Sequence, residues 1–144
     1  MLWALPSTHS DHLQEWLSEQ AGVSSDHINQ VFRSSPYIDQ PSVLAHSAVR
    51  AFVTHGGINA IHESVFAHTP MVVMPLGKDQ GDNAARAVDA EIAVRLSLRE
   101  LGVEAVSQAL SEVLGNESYN GMFIYWHCSR TRSNAHQLNR AQNG

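Results

Sequence analysis

The sequence predicts an α/β fold, a mostly parallel sheet with helices on both faces. Three observations predict it. Short apolar runs fit for buried strands alternate with stretches of helical spacing. The stretch Ala51–Gln80 holds one complete alternation: strand, glycine turn, helix, strand and polar loop. No internal repeat is visible, and consecutive strands separated by helices imply parallel pairing.

In chain order, Met1–Leu5 reads as a strand that begins at the first residue. A buried strand at the very start leads to the expectation of a missing upstream part. Pro6–Asp11 reads as a loop, with Ser10 or Asp11 able to cap a helix. Leu13, Trp16 and Leu17 fall at helical spacing, and Gly22 would end that helix. Ile28–Phe32 reads as another short strand, and Pro36–Val43 as a loop leading to a short helix.

Ala51–Thr54 is apolar and rich in β-formers, as a strand buried on both faces requires. His55-Gly56-Gly57 turns the chain, and Ile58, Ile61 and Val65 give Ile58–Ala67 an apolar face. Met71–Met74 is the next buried strand, between Pro70 and Pro75. Asp82 or Asn83 can cap a helix running to about Ala90, and Ile92–Leu96 fits a strand. Ser97 would cap a last helix with Leu101, Val106 and Leu110 in the core, closing near Gly115.

Composition narrows the classes of function. The 144 residues suit one domain. A net charge of −5 without a lysine–arginine block argues against a nucleic-acid partner. No apolar run approaches the roughly 20 residues of a membrane span. Cys128 is alone, so the expected compartment is reducing and the expected location cytoplasmic. All 14 acidic residues precede residue 121, and residues 121–144 lose periodicity. The expected division is a domain over 1–120 and a weakly ordered tail over 121–144.

The chemistry concentrates after the glycine turn. A strand that ends at glycines and enters a helix leaves amides free at the helix start, which suits an anion. His55 at the strand end and Asn59 in the first helical turn can both meet an anion held by the amides of Gly57 and its neighbours. Glu63 lies one turn past Asn59, where a carboxylate suits a ribose diol, or else it is an ordinary exposed helix carboxylate. Asp79 and Gln80 follow the next strand, at the sheet edge where open α/β folds bind ligands. Asp79 also has the alternative of capping the following helix. Nothing in the spacing of His46, His62 and His68 suggests a metal, so they belong to solvated faces or packing. The sum is a site for a nucleotide diphosphate bearing a polyol, such as a sugar.

Tyr37–Gln80, read YIDQPSVLAHSAVRAFVTHGGINAIHESVFAHTPMVVMPLGKDQ, resembles without a gap the signature box of family-one UDP-dependent glycosyltransferases. The similarity runs backward to the Leu2–Leu5 strand and forward to about Tyr119. It implies the GT-B fold, with two Rossmann-like domains, and this chain looks like most of the C-terminal, donor-binding one. The resemblance implies that Tyr37 stacks on uracil where plant members carry tryptophan, unless it merely packs in its loop. It implies that the Ile38 backbone meets the uracil edge and that Gln40 reaches base or ribose. It assigns the diphosphate to His55, Asn59 and the Ala60 backbone, the ribose to Glu63, and the sugar hydroxyls to Asp79 and Gln80. Ala60 stands where many members have serine, Ile58 replaces a plant aromatic and Asp39 a common proline.

The family's catalytic base is a histidine of the N-terminal domain, so no catalytic residue is assigned here. The implied reaction transfers a hexose from a UDP-sugar to a hydroxyl of a small lipophilic or phenolic acceptor, without metal or other cofactor. The implied partner is the missing N-terminal domain or a separate chain supplying it. Two alternatives stand beside it, the donor-binding subunit of a split enzyme and a non-catalytic nucleotide-binding module. In the strand order 3-2-1-4-5-6 the chain reads as starting at the second strand, which would leave two unpaired edges. With the abrupt start and the acid-free end, a truncated or mispredicted gene product is expected, with the subordinate possibility that Met122–Trp126 fills the vacant sheet position.

Overall fold

A computed structural model describes residues 1–4, 6–20, 24–116 and 119. Gly22, the Met122–Trp126 segment and the expected tail lie outside the described residues. The chain divides into two compact units, Met1–Gln40 and Pro41–Gly144.

The first unit contains β1 (Leu2–Ala4), α1 (Ser7–Gln20), α2 (Ser25–Val31) and β2 (Arg33–Ser35). β1 and β2 pair in parallel, with Trp3 opposite Ser34. Helix α1 begins before the expected caps, because the Pro6 carbonyl already receives the amides of His9 and Ser10. Ser10 is instead buried, and its hydroxyl bonds that of Ser34 on β2. The expected strand Ile28–Phe32 is corrected to a helix followed by β2. Ser24 caps α2 by accepting the His27 amide, and Asp26 sits in its first turn. Ile28 and Phe32 are both buried four residues apart. A spacing of four fits one helix turn as well as two strand repeats, which is why the short run misled. Trp3 packs edge-on against Phe32 at 6.0 Å. The buried strand expected at the start is also corrected: all of β1 is exposed.

Helix α3 (Gln40–Leu44) crosses the boundary between the units. The second unit then runs β3 (Phe52–Thr54), α4 (Ile58–Ala67), β4 (Met71–Val73), α5 (Gln80–Asp89), β5 (Ala93–Arg95) and α6 (Val103–Gly115). Its sheet is parallel with order β3-β4-β5. Met71 and Val73 point to one face, where Ile61, Ala84, Ala87 and Ile92 from α4, α5 and the turn before β5 close over them. Val72 points to the other, against Ala109 and Val113 of α6. Covered on both sides, the central strand must be wholly apolar, as its sequence is.

Strand β3 corrects a further expectation. Among the described residues it forms an edge of this sheet, and Val53 is 53% exposed on the face that α6 covers over β4. The α4 boundaries are those expected, and its end is sewn down. His68 closes it in the left-handed conformation, and buried Ser64 bonds the Thr69 carbonyl while Thr69 Oγ1 donates to Leu44 O at 3.1 Å. Helix α5 starts before Asp82 and Asn83, with Asp79 at its N-cap position. Ser97 caps a short 3-10 turn, Leu98–Glu100, and not α6, which starts after Gly102. Leu101 therefore lies outside the helix and is exposed, whereas Val106 and Leu110 pack against the core as expected. The buried Tyr119 hydroxyl donates to Glu112, and burial first, then that carboxylate, raises its pKa above the ordinary 10.0.

Candidate functional site

Adjacent parallel strands send their C-terminal ends to the same sheet edge. Thr54 and Val73 are register partners at the ends of β3 and β4, and the Met74 amide bonds Thr54 O at 2.8 Å. The His55-Gly56-Gly57 turn and the 74–79 loop therefore leave side by side.

Gly56 is the point where they meet. Its φ of +86° suits glycine alone, and a Cβ there would stand 2.7 Å from Val73 Cγ1 and 3.4 Å from Gln80 O. A Cβ on Gly57 would stand 2.7 Å from His55 Nε2, so the imidazole lies beside the turn. Helix α4 begins at Gly57 with no side-chain cap. The first amide bonded back along the chain is that of Ile61, to Gly57 O at 3.1 Å. The amides of Ile58, Asn59 and Ala60 thus form an open helix N-terminus, the positive end of the helix dipole. Asn59 is exposed there, Ala60 is partly buried, and Glu63 lies partly buried one turn further along α4.

The second loop is shaped by Gln80. Its Oε1 accepts from the amides of Leu76 at 2.8 Å and Gly77 at 3.1 Å. Two N–H donors converging on one atom identify that atom as the oxygen, so the amide nitrogen is the donor Gln80 offers elsewhere. Lys78, exposed, takes a left-handed φ of 56° in this tight loop. Asp79 stands at the N-cap position of α5, yet makes no capping bond with its side chain. Its carboxylate accepts instead from Asn83 Nδ2 at 2.9 Å. The same Asn83 nitrogen donates to Gly56 O at 3.2 Å.

The structure thus joins His55, Gly57, Asn59 and Ala60 at the start of α4 to Asp79 and Gln80 through Gly56 and Asn83. Tyr37, Ile38 and Gln40 belong to the other unit. Tyr37 is 80% exposed with its carbonyl held by the Ser35 hydroxyl, Ile38 is partly buried, and Gln40 opens α3. Sequence reasoning missed Asn83 as part of the site and considered it only as a cap. The available signal was its position four residues after Asp79, one helical turn away. Among the described residues no three His, Cys, Asp or Glu side chains gather as a metal site would need. No helix among them is long and apolar enough to cross a membrane.

Comparison with known proteins adds three findings. A family model described as UDP-glucoronosyl and UDP-glucosyl transferase matches residues 8–128. Similar relatives include UDP-glucuronosyltransferase 2C1 of Oryctolagus cuniculus, 41% identical over 83 residues, 58% of this chain and 16% of the relative. UDP-glucuronosyltransferase 3A1 of Xenopus laevis is 39% identical over 89 residues, 62% of this chain and 17% of the relative. The chain therefore spans about a sixth of the length of the curated relatives it matches. Among solved structures, Os79 from O. sativa, in complex with UDP and deoxynivalenol-3-glucoside, superposes with a TM-score of 0.71 at 26% identity. That match covers 85% of this chain and 28% of the other. A UDP-glucose:anthocyanidin 3-O-glucosyltransferase in complex with UDP gives 0.69 at 24% identity, over 86% and 27%, and speaks for the fold alone.

Proposed function

Since the chain belongs to the UDP-glucoronosyl and UDP-glucosyl transferase family, a group of GT-B glycosyltransferases of which it is a partial domain, we propose that it is the donor-binding half of a UDP-sugar-dependent hexosyltransferase. One observation carries the reading. The uncapped start of α4 and the Asp79-Gln80 loop lie at one sheet edge, locked to each other at Gly56. A pyrophosphate at the α4 start would meet the amides of Ile58, Asn59 and Ala60, the Asn59 side chain and His55. Glu63, one turn along, would accept the ribose hydroxyls. On the other side of Gly56, the Asp79 carboxylate and the Gln80 amide would take the hydroxyls of the hexose. Tyr37, Ile38 and Gln40 are proposed for the uracil.

In the reaction the acceptor hydroxyl oxygen attacks the anomeric carbon of the sugar. The bond from that carbon to the β-phosphate oxygen breaks, and its electron pair leaves with UDP. The hydroxyl proton passes to a general base, for which no residue of this chain is proposed. This chain would contribute to the other end of the bond. Oriented amides at a helix N-terminus stabilise the negative charge that grows on the departing diphosphate. A small lipophilic or phenolic acceptor, a further domain or partner chain carrying the base, and a cytoplasmic setting complete the proposal.

Calorimetric titration of the full chain with UDP and UDP-sugars tests it. UDP is expected to bind. Glu63→Ala should weaken that binding by about 1–3 kcal/mol, the usual effect of stranding hydrogen-bonded polar groups. Equal affinity in the variant would remove the ribose role from Glu63, and no heat with any uridine ligand would sink the donor-site reading.

A further inference from the structure

We propose that Asn83 is a positioning residue that fixes the Asp79 carboxylate and couples it to the glycine turn, so that the sugar and pyrophosphate halves of the site are set as one piece. The inference rests on the donor-site reading above and deepens it. Asn83 is one turn into α5 and only 7% exposed. A buried amide in a helix interior needs partners, and Asn83 finds them in two loops. One hydrogen of its Nδ2 goes to Gly56 O and the other to Asp79 Oδ2. Both partners are acceptors, so the atom is the nitrogen and not the oxygen.

Few side chains meet that demand. Aspartate has the shape of asparagine and, when ionised, no hydrogen to give; leucine has the size and no polar atom. The consequence falls on Asp79, which is exposed and spends no bond on capping its own helix. Without Asn83 its carboxylate would be free to explore several rotamers, and each binding event would have to freeze one. With Asn83 one oxygen is already anchored. The anchor is the same nitrogen that holds the Gly56 carbonyl, 27 residues away in sequence. A shift of the turn on binding a diphosphate is thereby transmitted to the carboxylate.

The test uses the full chain and two ligands, UDP and UDP-glucose, titrated against the wild type, Asn83→Ala, Asp79→Ala and the double variant. Circular dichroism confirms folding in each case. The quantity followed is the ratio of the UDP-glucose Kd to the UDP Kd. Asn83→Ala is expected to raise that ratio about tenfold, the effect of losing one well-placed hydrogen bond. Asp79→Ala should raise it at least as much, and the double variant no further than Asp79→Ala alone. Asn83→Asp keeps the side-chain volume, removes both donors and should raise the ratio as well; it replaces the alanine variant if that one does not fold.

A residue that only supports the fold gives a different pattern. Both ligands then weaken together, and the effect adds to that of Asp79→Ala. That result, or an unchanged ratio in both Asn83 variants while Asp79→Ala raises it, overturns the inference and leaves the donor site standing. Failure of the wild type to bind either ligand removes the donor reading and this inference with it, and is recognised before any variant is made.

Discussion

Strands β1 and β4 are each three residues long, apolar and paired in parallel, yet they end in opposite surroundings. Leu2 and Trp3 of β1 are each 48% exposed, whereas Met71, Val72 and Val73 of β4 lie at 0–1%. The difference is not in the residues. β4 has a strand on each side, helices α4 and α5 over one face and α6 over the other. β1 has β2 as its hydrogen-bonded neighbour, and the buried apolar residues among those described in its unit, Ile28 and Phe32, come from α2 and its exit. A run of apolar residues therefore reports that a strand forms, and the elements around it decide whether the strand is sealed. The contrast bears on function, because the Asp79-Gln80 loop of the candidate site follows the sealed strand, and the glycine turn follows β3, which is hydrogen-bonded to that strand.

The largest expected effect breaks the sealed side. Met71→Ala removes a fully buried side chain between β3, β5 and the α4–α5 layer, and should destabilise the chain by about 2–5 kcal/mol. Urea unfolding measures it, and a loss under about 1 kcal/mol would mean that the core relaxes to fill the gap. The next effect strikes the joint between sheet and site. Gly56→Ala puts a methyl group 2.7 Å from Val73 Cγ1 on a backbone of positive φ. The expected destabilisation is about 1–3 kcal/mol, with UDP binding weakened beyond it because the turn must move. Alanine accepted there without loss of either would show that the approach of the two loops is not tight in solution. The smallest effect belongs to the open side. Leu2→Ala on β1 should change stability by less than about 1 kcal/mol, since that residue is already 48% exposed. A larger loss in the same unfolding experiment would show that β1 is covered in solution and would erase the contrast.

Legibility followed the range of the interactions. Helix α4 was readable to the residue because its signals are local: two glycines before it, a period of three and four within it, and a turn after it. α2 was misread as a strand because Ile28 and Phe32 alone cannot distinguish the two periods, and the capping role of Ser24 decided it. Ser97 was recognised as a cap and assigned to the wrong helix, because a cap signal states that a turn starts and not how long it continues. Among the candidate site residues, His55, Asn59, Glu63, Asp79 and Gln80 stood out by residue type and by position relative to the strands. The exposed Val53 did not, since an edge strand and a central one can share a sequence.

By itself the sequence determined the alternation of strand, glycine turn and helix, and with it an anion-ready helix start, because backbone freedom at glycine and side-chain period are properties of neighbouring residues. Only the tertiary structure decided that Gly56 abuts Val73 and Gln80, that Gln80 turns its oxygen inward to two amides, and that one nitrogen of Asn83 spans Gly56 and Asp79. Those contacts depend on the register of two parallel strands and on the depth to which α5 sinks against them. Neither quantity is encoded in any one segment, because each is a compromise among all the side chains packed between the elements.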